Sequence, residues 1–222
     1  MAIMATAKKK KTLSILSLYM DNALENEKFP LSVYKFCKVN GIVESDFYKT
    51  YASLDSVKLH IWQVFFENTI NLISKNENFD ELSRKDRLLT FYFTFFEVLQ
   101  INRSYVYFAL NPAGSSMSAI GQLKKLKSRF KSFTSDLIEE GNDHKKISIT
   151  RHPVELFSEA AWAQLLFLLK FWLGDTSLGF ERTDEAIEKS VTVAFDVFDN
   201  TQLEKLLDFG KFLWKEKLNK TY

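Results

Sequence analysis

Hydrophobic positions recur at helical spacing along nearly the whole chain. Apolar residues at i, i+3, i+4 and i+7 mark one face of a helix, whereas alternating apolar and polar residues mark a strand. The first pattern repeats between short polar stretches, and no segment convincingly shows the second. The pattern therefore predicts an all-α protein of nine or ten helices.

Three short amphipathic segments open the chain. The first is predicted from about Thr12 to Glu25, the second starts at Ser32, whose hydroxyl can cap it, and the third covers Glu44 to Tyr51. Gly41 lies in the polar corner between the second and third segments, where a residue that tolerates positive φ is favoured. Two short helices joined by such a corner predict a helix-turn-helix.

The remaining pattern predicts a larger helical body. The expected helices cover about 53–75, 88–100, 105–110, 118–140, 154–173 and 183–198, and a last helix starts at Thr201. The helix 88–100 is apolar on nearly every side, which is typical of a helix in the middle of a bundle. We expect two domains, with residues 1–54 forming an N-terminal arm and helix-turn-helix and residues 55–222 forming the helical body.

The composition agrees with an all-α protein and adds one observation about its interior. The 222 residues include only 7 Gly and 3 Pro, which argues against a β-rich or disordered chain, and 46% are hydrophobic. The 21 Phe exceed what a plain bundle needs and suggest an aromatic-lined interior. An apolar cavity for a lipophilic or aromatic effector and a simply packed core both remain open.

Net charge and cysteine content restrict the kinds of partner and the cellular compartment that we expect for the protein. The net charge of +2 predicts neither a strongly basic nucleic-acid binder nor an acidic chaperone. The single cysteine, Cys37, excludes an intrachain disulfide and suits a reducing compartment. Lys8 to Lys11 are followed by a stretch too polar for a signal peptide, and the apolar run Ala160 to Leu173 is too short for a membrane span. A cytoplasmic protein is expected.

The residue types that usually form catalytic and metal sites do not show the spacing that such sites need. His60, His144 and His152 have no metal-ligand spacing, and no phosphate-binding loop or dinucleotide fingerprint occurs. Paired carboxylates such as Glu139-Glu140 lie in polar or first-turn settings. We expect no catalytic site, no metal site and no cofactor.

The corner carries a resemblance to a known family. The run SVYKFCKVNGIVESDFYKTYASLDSV resembles the DNA-binding domain of TetR transcriptional regulators, and the likeness covers about residues 11–62. The matching positions are Ser32, Phe36-Cys37, Gly41-Ile42, Phe47-Tyr48 with Tyr51, and Ser53-Leu54-Asp55. The resemblance implies a homodimer that binds operator duplex DNA through the helix-turn-helix. It further implies that a small hydrophobic effector, bound in the C-terminal domain, releases or shifts the protein on its operator.

Specific residues follow from the resemblance and from expected exposure. The DNA-contact candidates are Ser32, Ser45, Tyr48, Lys49, Thr50 and Lys58. The effector candidates are Phe91, Tyr92, Phe95, Tyr105, Phe108, Trp162 and Trp172. In the family the late helices of two subunits form a four-helix interface, which here implies the helices at about 154–173 and 183–198.

Three departures from the family pattern keep a rival function open. Glu44 and Asp46 place negative charge on the predicted recognition helix, and Leu54 replaces a lysine that contacts phosphate in the family. The rival is a TetR-fold lipid-binding protein that has lost DNA binding, like the lipid-binding protein of coenzyme Q biosynthesis, to which FWLGDTSLGFERTDEAI is loosely similar. A dimeric scaffold with neither ligand nor DNA is a third reading.

Overall fold

A computed structural model describes residues 15–110, 116–143 and 153–199, and these residues form ten α-helices and no strand. The helices are α1 (15–25), α2 (Val33–Val39), α3 (Glu44–Tyr48), α4 (Leu54–Ile73), α5 (Arg84–Ile101), α6 (Arg103–Leu110), α7 (Ser116–Gly121), α8 (Lys124–Asp143), α9 (Val154–Gly174) and α10 (Glu181–Asp199). Two 3₁₀ turns occupy Phe79–Glu81 and Leu178–Phe180. The predicted all-α class is confirmed, whereas the helix expected from Thr201 lies outside the described residues.

The chain divides into two compact units. The first unit comprises Met1–Asn76 and Thr94–Phe130, and the second comprises Glu77–Phe93 and Lys131–Tyr222. The helices α5 and α8 each contribute residues to both units. This division follows packing rather than function, so the predicted domain boundary after residue 54 stays a prediction.

The corner between α2 and α3 has the geometry that its sequence predicts. Ser32 caps α2 by accepting a hydrogen bond from the Lys35 amide at 3.4 Å. Gly41 takes φ +64°, and the Ile42 amide donates to the Cys37 carbonyl at 2.9 Å. This is the Schellman closure of a helix, which needs a left-handed residue at the position of the glycine. α3, however, ends at Tyr48, three residues earlier than expected, because a turn follows at Lys49.

A chain of aromatic rings forms the core under the helix-turn-helix. The Tyr19 ring of α1 meets Phe36 of α2 at 5.8 Å, and Phe36 meets Phe47 of α3 at 6.1 Å, both edge to face. Phe47 in turn lies 5.8 Å from Tyr51, whose hydroxyl is 2.7 Å from Nδ1 of His60 on α4. All four aromatic residues are buried. Edge-to-face pairs favour one relative ring orientation, so this core fixes the angle between the short helices.

The helix expected over 118–140 is interrupted, and a buried glutamine explains the break. Gln122 lies between α7 and α8, where its side-chain amide donates to the Ala109 carbonyl at the end of α6 at 2.7 Å. Its side-chain oxygen accepts from the indole N–H of Trp62 on α4 at 3.1 Å. Both bonds satisfy polar groups that would otherwise be buried without partners. The expected single helix is wrong, because the segment is divided between α7 and α8, and its end moves from Glu140 to Asp143.

In the second unit, side-chain bonds join neighbouring helices. Arg87 of α5 pairs with Glu140 of α8, and Lys131 of α8 pairs with Glu155 and Glu159 of α9 at 2.6 and 2.8 Å. The Phe91 ring of α5 also stacks on the Phe133 ring of α8, with the ring centres 4.9 Å apart. These contacts fix α5, α8 and α9 around a shared interior.

One aspartate organises the turn between α9 and α10. Asp175 accepts hydrogen bonds from the backbone and hydroxyl groups of Ser177, and from those of Thr183, at 2.6 to 2.9 Å. Although burial raises the pKa of Asp175, these donors outweigh it and lower the pKa to about 2. The expected start of the helix at Thr183 is wrong, because α10 begins at Glu181 and Thr183 turns inward to Asp175.

α9 is the one helix within the described ranges that is long and apolar enough to cross a bilayer by length and composition. The expectation of a run too short to span a membrane counted only Ala160 to Leu173, whereas the helix has 21 residues. Core helices of soluble proteins pass the same test, so this helix is weak evidence for a span.

Candidate functional site

The structure brings most of the predicted DNA contacts together on the helix-turn-helix. Ser45, Tyr48 and Lys49 are exposed on or just after α3, and Thr50 follows them half-buried. Ser32 stands half-buried at the start of α2, which packs against α3. Four of these side chains thus come from one exposed helix and the turn that follows it. Their contact with DNA stays a prediction.

Two carboxylates of α3, Glu44 and Asp46, interact with these candidates. The Lys49 ammonium lies 2.8 Å from the Asp46 carboxylate, one helical turn away. Desolvation, the charge of Glu44 and a hydrogen bond to its carboxylate all raise the pKa of Tyr48. Residues 15–60 carry five lysines and six carboxylates, a net charge of −1. The described helix-turn-helix therefore offers no net positive charge to a phosphate backbone.

Lys58 is placed differently from the other candidates. It lies on α4, where its ammonium is 3.0 Å from Asp55 and 4.6 Å from the centre of the Phe29 ring. Its side chain is 24% exposed. A cation over an aromatic face gains attraction that a solvated lysine lacks, so moving it to a phosphate would cost that contact.

The sequence interpretation missed an apolar component of this surface. Beside the predicted Tyr48, large apolar side chains are exposed around the corner at Leu31, Tyr34, Val39 and Val43. Val39 and Val43 flank Gly41 and point away from the core formed by Phe36 and Phe47. Val39 lies three residues after Phe36 and Val43 four residues before Phe47, so helical spacing alone would place both on the buried face and could not have identified them. Apolar side chains in a major groove can contact the thymine methyl group.

The seven predicted effector residues are distributed over both units and are mostly packed. Phe91, Tyr92, Trp162 and Trp172 belong to the second unit and are buried, while Phe95, Tyr105 and Phe108 belong to the first. Only Phe108 among them is half-buried. Edge-to-face and stacked contacts such as Phe91–Phe133 fill the space around these rings. Their effector role stays a prediction.

A separate apolar groove of about 300 Å³ lies within the second unit. None of the seven predicted residues lines it. The lining comes from α5, α8, α9 and α10: Arg84, Leu88, Thr134, Leu137, Ile138, Phe157, Ala160, Ala161, Gln164, Ser190, Val193, Ala194, Phe195 and Val197. Small and aliphatic side chains dominate this set. The space exists because short side chains face one another. The prediction selected aromatic residues, so it did not include these positions.

The polar side chains in the groove bond to one another. Gln164 accepts a hydrogen bond from the Tyr92 hydroxyl at 3.2 Å and donates to the Ser190 hydroxyl at 3.0 Å. Ser190 donates in turn to the Ile187 carbonyl at 3.2 Å. At the rim the Arg84 guanidinium lies 5.9 Å from the centre of the Phe195 ring. The groove therefore presents a mainly apolar wall.

The second unit also carries an exposed apolar stripe on α9 and α10. On α9 the exposed positions Leu156, Ala160, Ala163, Phe167 and Phe171 follow helical spacing. On α10 Val193 and Val197 are exposed, and the two helices pack together. We call these seven residues the α9–α10 stripe. A row of apolar side chains at this spacing is typical of a helix that packs on a partner.

These features define a class of protein by its fold: an all-helical chain with an N-terminal helix-turn-helix and a larger helical body. A family model for the tetracyclin repressor-like C-terminal domain matches residues 87–213. A crystal structure from Syntrophomonas wolfei strain Goettingen, described as a candidate TetR-family transcriptional regulator, has 21% sequence identity and a TM-score of 0.67. That match covers 84% of this chain and 96% of the other. No curated protein matches the chain significantly.

The family match covers more than half of the chain and includes nearly all of the groove. The chain therefore belongs to the TetR family of transcriptional regulators. The structural match, at its low identity, supports the fold alone.

Proposed function

We propose that the protein is a cytoplasmic homodimer that binds operator DNA through its helix-turn-helix and responds to a small apolar effector. The observation that carries the DNA-binding part is the exposed face of α3, held at a fixed angle by the aromatic core beneath it. A recognition helix contacts base edges in the major groove, so it must be held at a fixed angle to the rest of its domain. The buried Phe36 and Phe47 supply that support.

The charge of the described helix-turn-helix sets a specific expectation for its affinity. Phosphate neutralisation supplies most non-specific DNA binding, and the net charge of −1 over residues 15–60 supplies little of it. Lys8 to Lys11, which lie outside the described residues, add four positive charges to the same domain. We therefore propose that the arm supplies much of the salt-dependent affinity, while α3 supplies the selection among sequences.

The α9–α10 stripe supports the homodimer. Two copies that pair through this stripe would bury Phe167, which is 55% exposed, and Val193, which is 61% exposed. Ala160 and Ala163 leave room for another helix to approach closely. A two-fold interface of this kind uses the same patch on both subunits, so one exposed stripe is sufficient.

The effector would act by shifting a population of dimers. A ligand that favours one arrangement of the helical bodies changes the spacing of the two recognition helices and hence the affinity for an operator. The groove supports a ligand-binding role for the second unit because it is concave, apolar and bounded by four helices. The rival lipid-binding function without DNA gains no support from the family match.

Binding to duplex DNA tests the proposal directly. Fluorescence anisotropy with a random duplex should show binding at low salt that weakens as salt rises, and selection from a random pool should yield a palindromic site. Lys49→Ala should weaken binding to the selected site, whereas Lys75→Ala, at an exposed lysine beyond the end of α4, should not. A protein that shows no duplex binding even at low salt is not a DNA reader.

A further inference from the structure

Val43, the residue that precedes α3, departs from two local rules at once. Its backbone is extended, at φ −71° and ψ 124°, so its side chain does not follow the helical phase of Phe47 and is 64% exposed. It also occupies the position where Ser, Thr, Asp or Asn is favoured because their side chains accept hydrogen bonds from the first helical amides. One valine therefore leaves α3 without that cap and places apolar surface in water. Such departures from local rules are expected at functional positions.

The side chains around Val43 offer few donors to a base edge. α3 contains no arginine and no lysine, and Lys49, which follows it, pairs with Asp46 at 2.8 Å. Guanine is most often read by an arginine or lysine that donates to its O6 and N7 atoms. The carboxylate of Glu44 already accepts a hydrogen bond from Tyr48. The most exposed group at this end of α3 that is free to contact a base is thus apolar.

We propose that Val43 is a specificity-determining residue that contacts the 5-methyl group of a thymine in the major groove. Side chains at the start of a recognition helix are the ones that contact base edges. The methyl group is the apolar feature that distinguishes thymine from the other bases in that groove. This inference rests on the proposed DNA-binding function and adds to it the base that α3 selects.

Burial of apolar surface determines the size of the effect and its response to salt. In the free protein the Val43 side chain lies in water, whereas in the complex its methyl groups and the thymine methyl group leave water together. Loss of one methyl-sized group from such a contact weakens binding about fourfold. The contact carries no charge, so this factor should be the same at low and high salt, unlike the contribution of a phosphate contact.

Uracil substitution tests the contact with the full chain. Uracil differs from thymine only by the missing 5-methyl group, and it pairs with adenine in the same way. Each thymine of the site selected from a random pool is replaced singly by uracil, and fluorescence anisotropy measures binding at two salt concentrations. We expect at least one position in each half-site where the replacement weakens wild-type binding about fourfold at both salt concentrations.

Variants of two valines assign the effect to Val43. Val43→Ser removes the methyl groups and supplies a capping hydroxyl, so it should raise the urea midpoint of unfolding and bind thymine and uracil duplexes equally. A merely structural role would not make the more stable protein the less selective one. Val43→Thr supplies the same hydroxyl but keeps one methyl group, and it should still prefer thymine. Val39→Ser is the matched control, since Val39 is 74% exposed but lies at the end of α2, and it should keep the full preference.

Two results would overturn the role of Val43. The wild-type protein could bind every uracil duplex as tightly as the thymine duplex, or Val43→Ser could keep the full preference for thymine. In both cases the protein still binds duplex DNA, so the proposed function would stand without this contact. A protein that binds no duplex at any salt concentration would instead refute the proposed function, and the role of Val43 with it.

Discussion

The core of the helix-turn-helix and the groove of the second unit are built on opposite principles. In the first, Tyr19, Phe36, Phe47 and Tyr51 form an unbroken series of ring contacts, with neighbouring centres 5.8 to 6.1 Å apart. In the second, helices are joined by polar side-chain bonds, and alanines leave a space of about 300 Å³. The difference teaches that large side chains fix helix angles in one region, whereas small ones preserve volume in the other.

Truncating one aromatic side chain in each region should give the largest difference in the free energy of unfolding. Phe47→Ala removes a fully buried ring with three aromatic neighbours, and we expect a loss of about 3–5 kcal/mol in the free energy of unfolding. Phe157→Ala, at a half-buried residue that already borders empty space, should lose only about 1 kcal/mol. Urea unfolding at one fixed protein concentration measures both, because the proposed dimerisation would add to apparent stability. Equal losses would contradict the contrast.

The Asp175 turn of the second unit is expected to have the next largest effect. Asp175→Asn removes the charge that accepts four hydrogen bonds from Ser177 and Thr183, and we expect a loss of about 1–3 kcal/mol at neutral pH. Glu188→Gln, at an exposed position of the same α10, is the control and should change stability little. Thermal or urea unfolding of the three proteins measures the difference.

The pH dependence of stability shows whether the charge of Asp175 or its packing causes the effect of Asp175→Asn. The folded-state pKa of Asp175 is lowered from 3.8 to about 2, so its stabilisation is present in full above the unfolded value. It is lost as pH falls from about 4 to about 2, where the carboxyl group becomes protonated in the folded state as well. The gap between wild type and Asp175→Asn should therefore close over that interval. A gap that stays constant down to pH 2 would assign the effect to packing.

The local parts of the fold could be predicted because their signals are local. Ser32 as a cap and Gly41 as a left-handed corner are read from a few neighbouring residues, and both predictions are confirmed. The break at Gln122 could not be predicted, because its cause is a hydrogen bond to Trp62, sixty residues away. The start of α10 was missed for the same kind of reason, since Thr183 bonds across the turn to Asp175 rather than capping the helix.

The candidate sites divide in the same way. Exposure of Ser45, Tyr48 and Lys49 follows from their phase against the buried Phe47, so the predicted surface could be found. The groove could not, because its volume depends on which small side chains of four helices face one another. Ala161 and Ala194 carry no sign in the sequence that distinguishes them from other alanines.

Substitution of two glycines in the first unit distinguishes the effect of backbone conformation on stability from the effect of packing. A Cβ at Gly41 or at Gly121 would meet no atom within 4 Å, but only Gly41 has φ +64°. Gly41→Ala should therefore cost about 1–2 kcal/mol through its left-handed conformation. Gly121→Ala, in a helical residue, should stabilise by about 0.4–1 kcal/mol because the unfolded chain loses freedom. Unfolding midpoints that move in the same direction for both would contradict this account of the corner.

The smallest change in stability should accompany an informative change in binding. Asp46→Asn removes one partner of an exposed ion pair with Lys49, and such pairs contribute about 0.2–1 kcal/mol. The same substitution raises the net charge of residues 15–60 from −1 to zero and leaves the Lys49 ammonium available to a phosphate. We expect low-salt affinity for random duplex DNA to increase several-fold and its salt dependence to steepen by about one phosphate contact. Asp80→Asn makes the same charge change at an exposed residue of the second unit and should leave affinity nearly unchanged. If both variants gained affinity equally, total charge rather than the face of α3 would control DNA binding, and α3 would lose its assignment as the reading helix.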